Sequence, residues 1–506
     1  MASAPRSSGV LMPVPALPGP GVIGDLGPAA VAFADFLAAS GHAVWQVLPL
    51  AVTTAVAGNS PYNSLSAFAL DPLLVSPERL SVLGWLSPAE IASACPGRRL
   101  RYGEARRLKA RLLALAWRRF RRDPAARREL ARFREREAWW LADFALFRVL
   151  RRGCGGRPWT EWPRGLRERD PGELRRATRE LAPALERQGF GQYLAHRQWR
   201  DLRDELAARG LEVMGDLPFY VAHDSADVWS HPELFALDVE GRPEALAGCP
   251  PDAFTAEGQL WGQPVYRWAA HRDQGFAWWL ARSERQAALF DRLRLDHFRG
   301  LAATWQVPAG AGTAAAGSWV EAPGGELVDL LRGRLPAARW VAEDLGVLSP
   351  EVHALRRRLG AAGTRVLQFA FGEDFPASEH LPERAPADVV LYSGTHDNDT
   401  LRGWLESGAG AAERERLASY LGSELEPERA VEELLRRCLA SPADLVILPM
   451  ADVLGLGSRA RINRPGRSRG QWSWRLASDQ LGPEPAADWR RRLADSGRLG
   501  GRDGGR

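Results

Sequence analysis

The stretch that decides the fold is Leu293-Arg294-Leu295-Asp296-His297-Phe298-Arg299-Gly300, in a chain of 506 residues. The alternation over Leu293–Asp296 predicts a strand, and the period of two along a strand puts Arg294 and Asp296 on the same face. A guanidinium beside a carboxylate favours the ionised form of that carboxylate. An ionised aspartate at the C-terminal end of a strand is suited to act as the nucleophile of a barrel enzyme, and a structural ion pair is the alternative.

Acidic residues follow other predicted strands in the same way. Asp216 lies near the end of Leu211–Leu217, Glu343 follows a strand that begins at Arg339, and Asp397 comes soon after Asp388–Tyr392. Strands that alternate with helices predict βαβ units and a parallel sheet, and the intervals fit units of about 31 residues with insertions. We therefore predict an α/β chain folded as a (β/α)8 TIM barrel with carboxylates at its mouth. A doubly wound sheet is the alternative, but its Gly-rich dinucleotide turn is absent.

The pattern divides the chain into four parts. Charged segments at helical period predict a large helical insertion, and a long irregular excursion after the strand Leu211–Leu217 predicts a substrate loop. The tail is rich in Gly and Arg, so we expect it to be disordered. The predicted parts are 1–76, the start of the barrel with an extended lead-in over 1–20; 77–208, the helical insertion; 209–490, the rest of the barrel with the substrate loop insertion at 222–271; and 491–506, the tail.

Composition narrows the classes of function. The net charge is +5 with 67 basic and 62 acidic residues, and no basic stripe alternates with aromatics, so we expect no nucleic-acid partner. Lys109 is the only lysine and lies in a helical run, which argues against a Walker-type phosphate loop and a Schiff-base enzyme. The four cysteines are widely spaced, and no apolar run has membrane-span length. We expect a cytoplasmic protein with no cofactor, no metal and no membrane partner.

Several carboxylates without a metal cluster or a Cys–His pair suit the cleavage of a glycosidic bond. One carboxylate must be ionised to attack, and another must be protonated to donate to the leaving oxygen. Arg294 marks Asp296 as the ionised residue, and the apolar Trp340-Val341-Ala342 context of Glu343 favours its neutral form. The separation of the two groups is not readable from sequence, so retention and inversion both stay open at this point.

A set of motifs resembles the amylomaltase family, that is, the 4-α-glucanotransferases or disproportionating enzymes of glycoside hydrolase family 77. They run in family order from about Gly21 to Leu476 and together are highly specific. The motifs are Arg294-Leu-Asp296-His-Phe-Arg-Gly300, Ala342-Glu343-Asp344-Leu-Gly346, Gly394-Thr-His396-Asp397-Asn-Asp-Thr400, Ser60-Pro-Tyr62-Asn-Ser-Leu-Ser-Ala-Phe68, Gly215-Asp216-Leu-Pro218, Trp229-Ser-His-Pro-Glu-Leu-Phe235, Asp452-Val-Leu-Gly-Leu-Gly457 and Asn463-Arg-Pro465.

The resemblance implies a barrel with helical insertions and no separate C-terminal β-domain. It implies a retaining double displacement on α-1,4-glucans and maltooligosaccharides, with Asp296 as the nucleophile, Glu343 as the acid/base and Asp397 holding hydroxyls of the distorted sugar ring. Arg294 and His396 would bind the sugar and support the charge at the cleavage point. The other residues expected to bind the glucan are Asp216, Tyr62, Ser60, Gln259, Trp261, Asp252, Phe254 and Asn463. We expect a monomer or homodimer.

The sequence departs from the family pattern beside the cleft. The family usually has Tyr-Phe after Pro-Pro-Asp, where this chain has Ala253-Phe254; Gln263, Ala451 and Asn63 are further departures. Since the resemblance implies that the 248–255 loop shields the intermediate from water, Ala253 predicts weaker donor binding and a larger share of hydrolysis. An α-amylase-type hydrolase, with the same barrel and carboxylates, is the alternative enzyme. A glucan-binding protein with a dead site is disfavoured because all three carboxylates are present.

Overall fold

The computed structural model describes residues 6–19, 21–92, 100–251, 257–346, 348–424, 426–467 and 470–499. Eight short parallel strands form its central sheet, and most of their residues are buried, as expected for a sheet covered on both faces. The strands are β1 (Ser7–Leu11), β2 (Val44–Gln46), β3 (Glu212–Leu217), β4 (Arg292–Leu295), β5 (Arg339–Ala342), β6 (Gly363–Val366), β7 (Val389–Tyr392) and β8 (Leu445–Pro449).

The eight strands close into a ring. Each strand pairs in parallel with the next one in chain order from β1 to β5 and from β6 to β8, and β8 pairs with β1. A parallel bridge between Val341 and Ala362 joins β5 to the start of β6, and Ala362 donates its N–H to the carbonyl of Trp340 at 2.9 Å. The predicted (β/α)8 barrel is therefore confirmed, and the doubly wound sheet is excluded.

The first strand of the barrel was not expected. Residues 1–20 were predicted to be an extended lead-in, and this prediction is wrong over Ser7–Leu11, which pairs with both β2 and β8. Gly9 allows the close approach: a Cβ at this position would lie 2.5 Å from the carbonyl oxygen of Val44 and 2.6 Å from Cδ1 of Ile447. A Ser-Ser-Gly segment reads as a loop locally, but the barrel needs a small residue here.

The helices alternate with the strands and fill the region between β2 and β3. The first helix, Pro28–Ser40, is followed by Gly41, which adopts the left-handed conformation with φ of 85°. The α-helices are Pro28–Ser40, Pro77–Val82, Pro88–Ile91, Tyr102–Phe120, Pro124–Arg136, Ala138–Gly153, Arg164–Arg167, Pro171–Glu180, Ala182–Ala208, Ala226–Ser230, Trp268–Asp273, Ala277–Leu289, Gly324–Arg334, Pro350–Leu359, Leu401–Gly403, Ala411–Leu421, Pro427–Ala440, Met450–Val453 and Pro483–Asp495.

The helix Ala182–Ala208 connects the helical region to the barrel. Phe190 and Tyr193 in its first half pack against aromatic side chains of the preceding helices, such as Phe120. In its second half, the buried Trp199 donates its indole N–H to the carbonyl of Leu289, at the end of a barrel helix. The helix therefore contributes to both layers, and the boundary at 208 stays a prediction.

A four-stranded antiparallel sheet lies beyond the C-terminal ends of β3 and β4, and we call it the mouth sheet. The excursion over 222–271 was expected to be loop-rich, but it supplies two strands of this sheet, and the segment after β4 supplies the other two. The order across the mouth sheet is Gln259–Pro264, Ala245–Cys249, Ala303–Pro308 and Ser318–Glu321. The sheet is built into the middle of the chain, so it is not a C-terminal β-domain.

The end of the chain is ordered further than expected. Disorder was predicted from residue 491, but the last helix continues to Asp495 and Arg498 is fully buried. Leu493 is buried as well, so the helix has an apolar side that composition alone conceals. The prediction is wrong for 491–499, and residues 500–506 lie outside the described part of the chain. Within the described ranges, no helix is both long and apolar enough to cross a membrane.

Candidate active site

The predicted site residues gather at the C-terminal ends of the barrel strands. Asp216 lies near the end of β3, Asp296 and Glu343 directly follow β4 and β5, and Asp397 lies in the loop after β7. Parallel strands point their carboxyl ends to the same side, so a closed barrel brings these positions together. The hydrogen bonds below connect most of the predicted residues into one network.

Arg294 lies at the centre of the network. Its Nη1 atom is 2.8 Å from both carboxylate oxygens of Asp216 and 2.8 Å from Oδ1 of Asp296. Arg294 and Asp216 are almost fully buried, whereas about a quarter of the Asp296 side chain is exposed, at 27%. Burial lowers the pKa of Arg294, but Asp216 and Asp296 raise it by more, so the guanidinium stays charged. The predicted contact between Arg294 and Asp296 is confirmed.

Tyr62 reaches the same network from the loop after β2. Its hydroxyl donates to Oδ2 of Asp216 at 2.6 Å, and its ring stacks on His396 with centroids 4.9 Å apart and planes 12° apart. The Oγ atom of Ser60 accepts the backbone N–H of Tyr62 at 3.3 Å, which stabilises the loop. Asp216 therefore has both of its oxygens engaged, by Arg294 and Tyr62.

Glu343 is held by a backbone donor on the nucleophile loop. The N–H of His297 donates to Oε2 of Glu343 at 2.7 Å, and His297 is in the left-handed region with φ of 50°. Burial raises the pKa of Glu343 to about 8; Arg294 opposes this shift and Asp296 adds to it. Burial therefore favours the protonated form of Glu343 at neutral pH, the form that its apolar context predicted.

Asp397 is oriented from the loop after β8. Nδ2 of Asn463 donates to Oδ1 of Asp397 at 2.6 Å, and Nε2 of His396 is 3.4 Å from the same oxygen. Arg461 donates to the backbone carbonyl of Asp397 at 2.7 Å. About half of the Asp397 side chain is exposed, at 47%. Asp397 thus presents a fixed carboxylate to the open side of the site.

Two further predicted residues belong to the mouth sheet. The indole N–H of Trp261 donates to Oε1 of Gln259 at 3.1 Å, and the Trp261 ring packs edge-to-face on His297 with centroids 4.9 Å apart. This contact brings one face of the mouth sheet against the nucleophile loop. Asp252 and Phe254, also predicted to bind the glucan, lie outside the described residues, as does Ala253.

Sequence reasoning did not assign a role to His297 or Arg461. His297 gives its N–H to Glu343 because its backbone is left-handed, and a positive φ at a histidine has no reliable sequence signal. Arg461 donates to the backbone carbonyls of two predicted site residues, Asp397 and Asn463, and so orients both. The feature of the sequence that pointed to Arg461 was its position two residues before Asn463.

Fold and site together define a class of protein: a (β/α)8 barrel enzyme that acts on glycosidic bonds with several carboxyl groups in different surroundings at its mouth. In the ranges that the structure describes, no group of three or more His, Cys, Asp or Glu residues is arranged to hold a metal ion. The polar network and the aromatic wall formed by Trp261 suit a sugar, which needs hydrogen-bond partners at its edge and a flat apolar surface at its face.

Comparison with known proteins gives the family. The profile described as 4-alpha-glucanotransferase matches residues 12–480. A 4-alpha-glucanotransferase of Thermus thermophilus is 44% identical over 491 residues, which cover 96% of this chain and 97% of that protein. The chloroplastic/amyloplastic enzyme of Solanum tuberosum is 39% identical over 98% of this chain and 87% of its own length. An amylomaltase from Streptococcus agalactiae in complex with acarbose superposes with a TM-score of 0.93 at 32% identity, covering 98% of this chain and 100% of that one.

The chain belongs to the 4-α-glucanotransferase (amylomaltase) family, glycoside hydrolase family 77. It is a transferase that acts on α-glucans, as the motifs predicted. The α-amylase-type hydrolase that the sequence left as an alternative is not favoured, because the curated relatives are named as transferases.

Proposed function

We propose that this enzyme transfers a segment of an α-1,4-glucan to the 4-hydroxyl of an acceptor glucan or glucose by a retaining double displacement. Asp296 is the nucleophile, Glu343 the acid/base and Asp397 the residue that holds the distorted sugar. The observation that carries this assignment is Arg294, which contacts Asp296 beside a Glu343 whose pKa is raised. Arg294 lies against Asp296 while burial favours the protonated form of Glu343, so the surroundings of the two carboxyl groups differ as the reaction requires.

In the first step, Glu343 gives its proton to the glycosidic oxygen while Asp296 attacks the anomeric carbon. The bond between that carbon and the leaving oxygen breaks, and a β-glucosyl ester on Asp296 forms. Glu343 is then a carboxylate and takes the proton of the acceptor 4-hydroxyl, whose oxygen displaces Asp296. The two inversions at the anomeric carbon restore the α configuration.

Asp397 and its partners His396 and Asn463 are suited to the sugar at the cleavage point. A half-exposed carboxylate fixed by an amide donor can accept hydrogen bonds from two neighbouring sugar hydroxyls, and these strengthen as the ring flattens. The remaining glucan-binding residues of the proposal are Asp216, Tyr62, Ser60, Gln259, Trp261, Asp252 and Phe254. Asp216 acts mainly through Arg294 and Tyr62, which occupy its oxygens.

Incubation with maltotriose, followed by separation of the products by size, tests the function. Transfer yields glucose together with maltooligosaccharides longer than maltotriose, and it leaves the number of reducing ends unchanged, whereas hydrolysis adds one reducing end per cleavage. We expect the first result, and loss of both products in Asp296→Asn. A steady gain of reducing ends with no longer products would contradict transfer. The cytoplasmic location and the monomeric or homodimeric state stay predictions.

A further inference from the structure

The two faces of the mouth sheet have different surroundings. Antiparallel pairing opposes Trp305 to Gly248 and to Trp319, and it opposes Gly248 to Leu260. Residues opposite each other in a sheet point to the same face, and sequence neighbours point to opposite faces. Leu260, Trp305 and Trp319 therefore share one face, and Trp261, which contacts His297 in the active site, lies on the other. We call the first face the outer face.

Two large apolar side chains are exposed on the outer face, where a solvated sheet face is normally polar. Trp319 is 41% exposed and Leu260 is 43% exposed. Glu321, two residues after Trp319, is an exposed charged residue of the same face. Gly248 lies opposite Leu260 and Trp305, and a Cβ there would lie 2.5 Å from the carbonyl oxygen of Gln259, so close backbone packing favours glycine. In an antiparallel sheet with one face against the site, this pattern indicates a surface that binds something.

Trp319 is held rigidly although it is exposed. The guanidinium of Arg299 lies over its ring, 3.8 Å from the centroid, and Trp305 packs on it edge-to-face with centroids 5.3 Å and planes 67° apart. Trp305 is itself fixed by its indole N–H, which donates to the carbonyl of Ala314 at 2.8 Å. A ring fixed on one face by a cation offers its other face with little loss of conformational entropy on binding.

The position of Trp319 relative to the cleft points to its ligand. Arg299 lies three residues after Asp296, in the same loop as the nucleophile, and the other face of the same sheet packs on that loop. A glucan long enough to extend past the mouth sheet would meet a flat indole, the surface on which sugar rings stack. The enzyme already acts on α-glucans, so this ligand is present whenever the enzyme works.

We propose that Trp319, with Trp305 beside it and Leu260 on the opposite edge strand, forms a second binding site for long α-glucans on the outer face of the mouth sheet, outside the catalytic cleft. The site keeps a long glucan associated with the enzyme between transfers. It contributes nothing to substrates that fill only the cleft. The proposal rests on the family's α-glucan substrate and not on the roles of the individual carboxylates.

Trp319→Ala tests the site with two substrates of different length. We expect the KM for amylose to rise about three- to tenfold, because one aromatic contact with the glucan is lost. The kcat for amylose, and both kcat and KM for maltotriose, should stay within about twofold. Binding to glycogen can be measured by retardation in a native gel, with Asp296→Asn in every variant to prevent turnover. The double variant Asp296→Asn/Trp319→Ala should be retarded less than Asp296→Asn alone, by a factor similar to the change in KM. The amylose KM and the glycogen retardation of Trp319→Phe should lie between those of Trp319→Ala and those of the enzyme that keeps Trp319.

Val320→Ala is the matched control because Val320 is the next residue on the same edge strand, is 39% exposed and points to the other face. It should leave retardation by glycogen unchanged. Unchanged retardation in Trp319→Ala, or an equal loss on maltotriose and amylose, would overturn the proposal. So would a change from dimer to monomer in Trp319→Ala without a change in glycogen binding, because the face would then be a subunit interface. An Asp296→Asn enzyme that remained active would refute the nucleophile assignment but not this site.

Discussion

Arg294 contacts two carboxylates with a single nitrogen, and this sharing explains why the site needs an arginine. Asp216 is fully buried and would carry an uncompensated charge without Arg294, whereas Asp296 is partly open to the cleft. A buried charge without a partner costs several kcal/mol, about 3–5 when one partner of a pair is removed. Asp216 therefore fixes Arg294, and Arg294 in turn fixes Asp296.

Replacing Arg294 by lysine should separate the effect of its charge from the effect of its contact geometry. The ammonium keeps the charge, but the lysine side chain is one atom shorter than the path to Nη1 of Arg294, so its nitrogen cannot contact Asp216 and Asp296 in the same geometry. We expect kcat/KM on maltotriose to fall about 100-fold with the protein still folded, as judged by circular dichroism. Arg292→Lys, at the other end of the same strand, should change kcat/KM by no more than about twofold. Equal losses in both variants would contradict the role of Arg294.

Glu343 should control the alkaline side of the pH profile. Burial raises its pKa to about 8. The protonated form is the donor, so kcat/KM on maltotriose should fall as pH rises through that value. On an α-maltosyl fluoride donor, whose leaving group needs no proton, the first step should lose this dependence. A profile that stays flat well above pH 8 on maltotriose would exclude Glu343 as the acid.

At the scale of elements, the sequence around Ala253 departs from the family pattern in a segment that the family resemblance predicts to shield the intermediate. We expect Ala253→Tyr to lower the ratio of glucose released by hydrolysis to longer products formed from maltotriose, by about two- to fivefold, because a second aromatic wall excludes water. Ala253→Ser, which adds no wall, is the control. An unchanged ratio in Ala253→Tyr would contradict the predicted role of the loop.

The elements that sequence predicted are those with strong local patterns. The four barrel strands predicted around Asp216, Asp296, Glu343 and Tyr392 match observed strands, because buried runs such as Val389–Tyr392 are apolar. The strand Ser7–Leu11 was missed because its fit depends on Gly9 approaching Val44, which is a tertiary contact. The mouth sheet was missed for the same reason, since its strands come from segments separated by β4.

The features of the site also divide into those that local sequence predicts and those that depend on tertiary contacts. Carboxylates at strand ends were predictable because a barrel brings strand ends together, and the Arg294–Asp296 contact followed from the period of a strand. The links that hold the site, from His297 to Glu343 and from Arg461 to Asp397, were not predictable, because they depend on backbone conformation and on loops that meet only in the folded barrel.

At the scale of the whole molecule, the two ends of the chain close the barrel together. Arg498 is fully buried, and its guanidinium donates to the carbonyls of Ser7 in β1 and of Leu439, Ser441 and Ala443 before β8. Arg498→Ala would remove these four hydrogen bonds, and of the four carbonyls that of Ser441 keeps Arg6 as a donor, at 2.9 Å. We expect unfolding to become easier by about 2–4 kcal/mol, measured by urea denaturation, with the maltotriose activity of the folded enzyme unchanged at low temperature.

Arg491→Ala is the control for the closure of the barrel. Its side chain is 71% exposed and pairs only with Asp488 in its own helix, so its loss should cost less than about 1 kcal/mol. Equal stability of Arg498→Ala and the unmodified enzyme would show that the C-terminal segment does not stabilise the barrel.

We propose that Asp296 forms a covalent bond to the glucan, and mass spectrometry of a trapped intermediate tests this bond most directly. In Glu343→Gln, α-maltosyl fluoride can still react with Asp296, because fluoride leaves without a proton, but the ester cannot be resolved efficiently without the base. We expect an added maltosyl unit on the peptide that contains Asp296. An adduct on another residue, or release of β-maltose with no adduct, would contradict it.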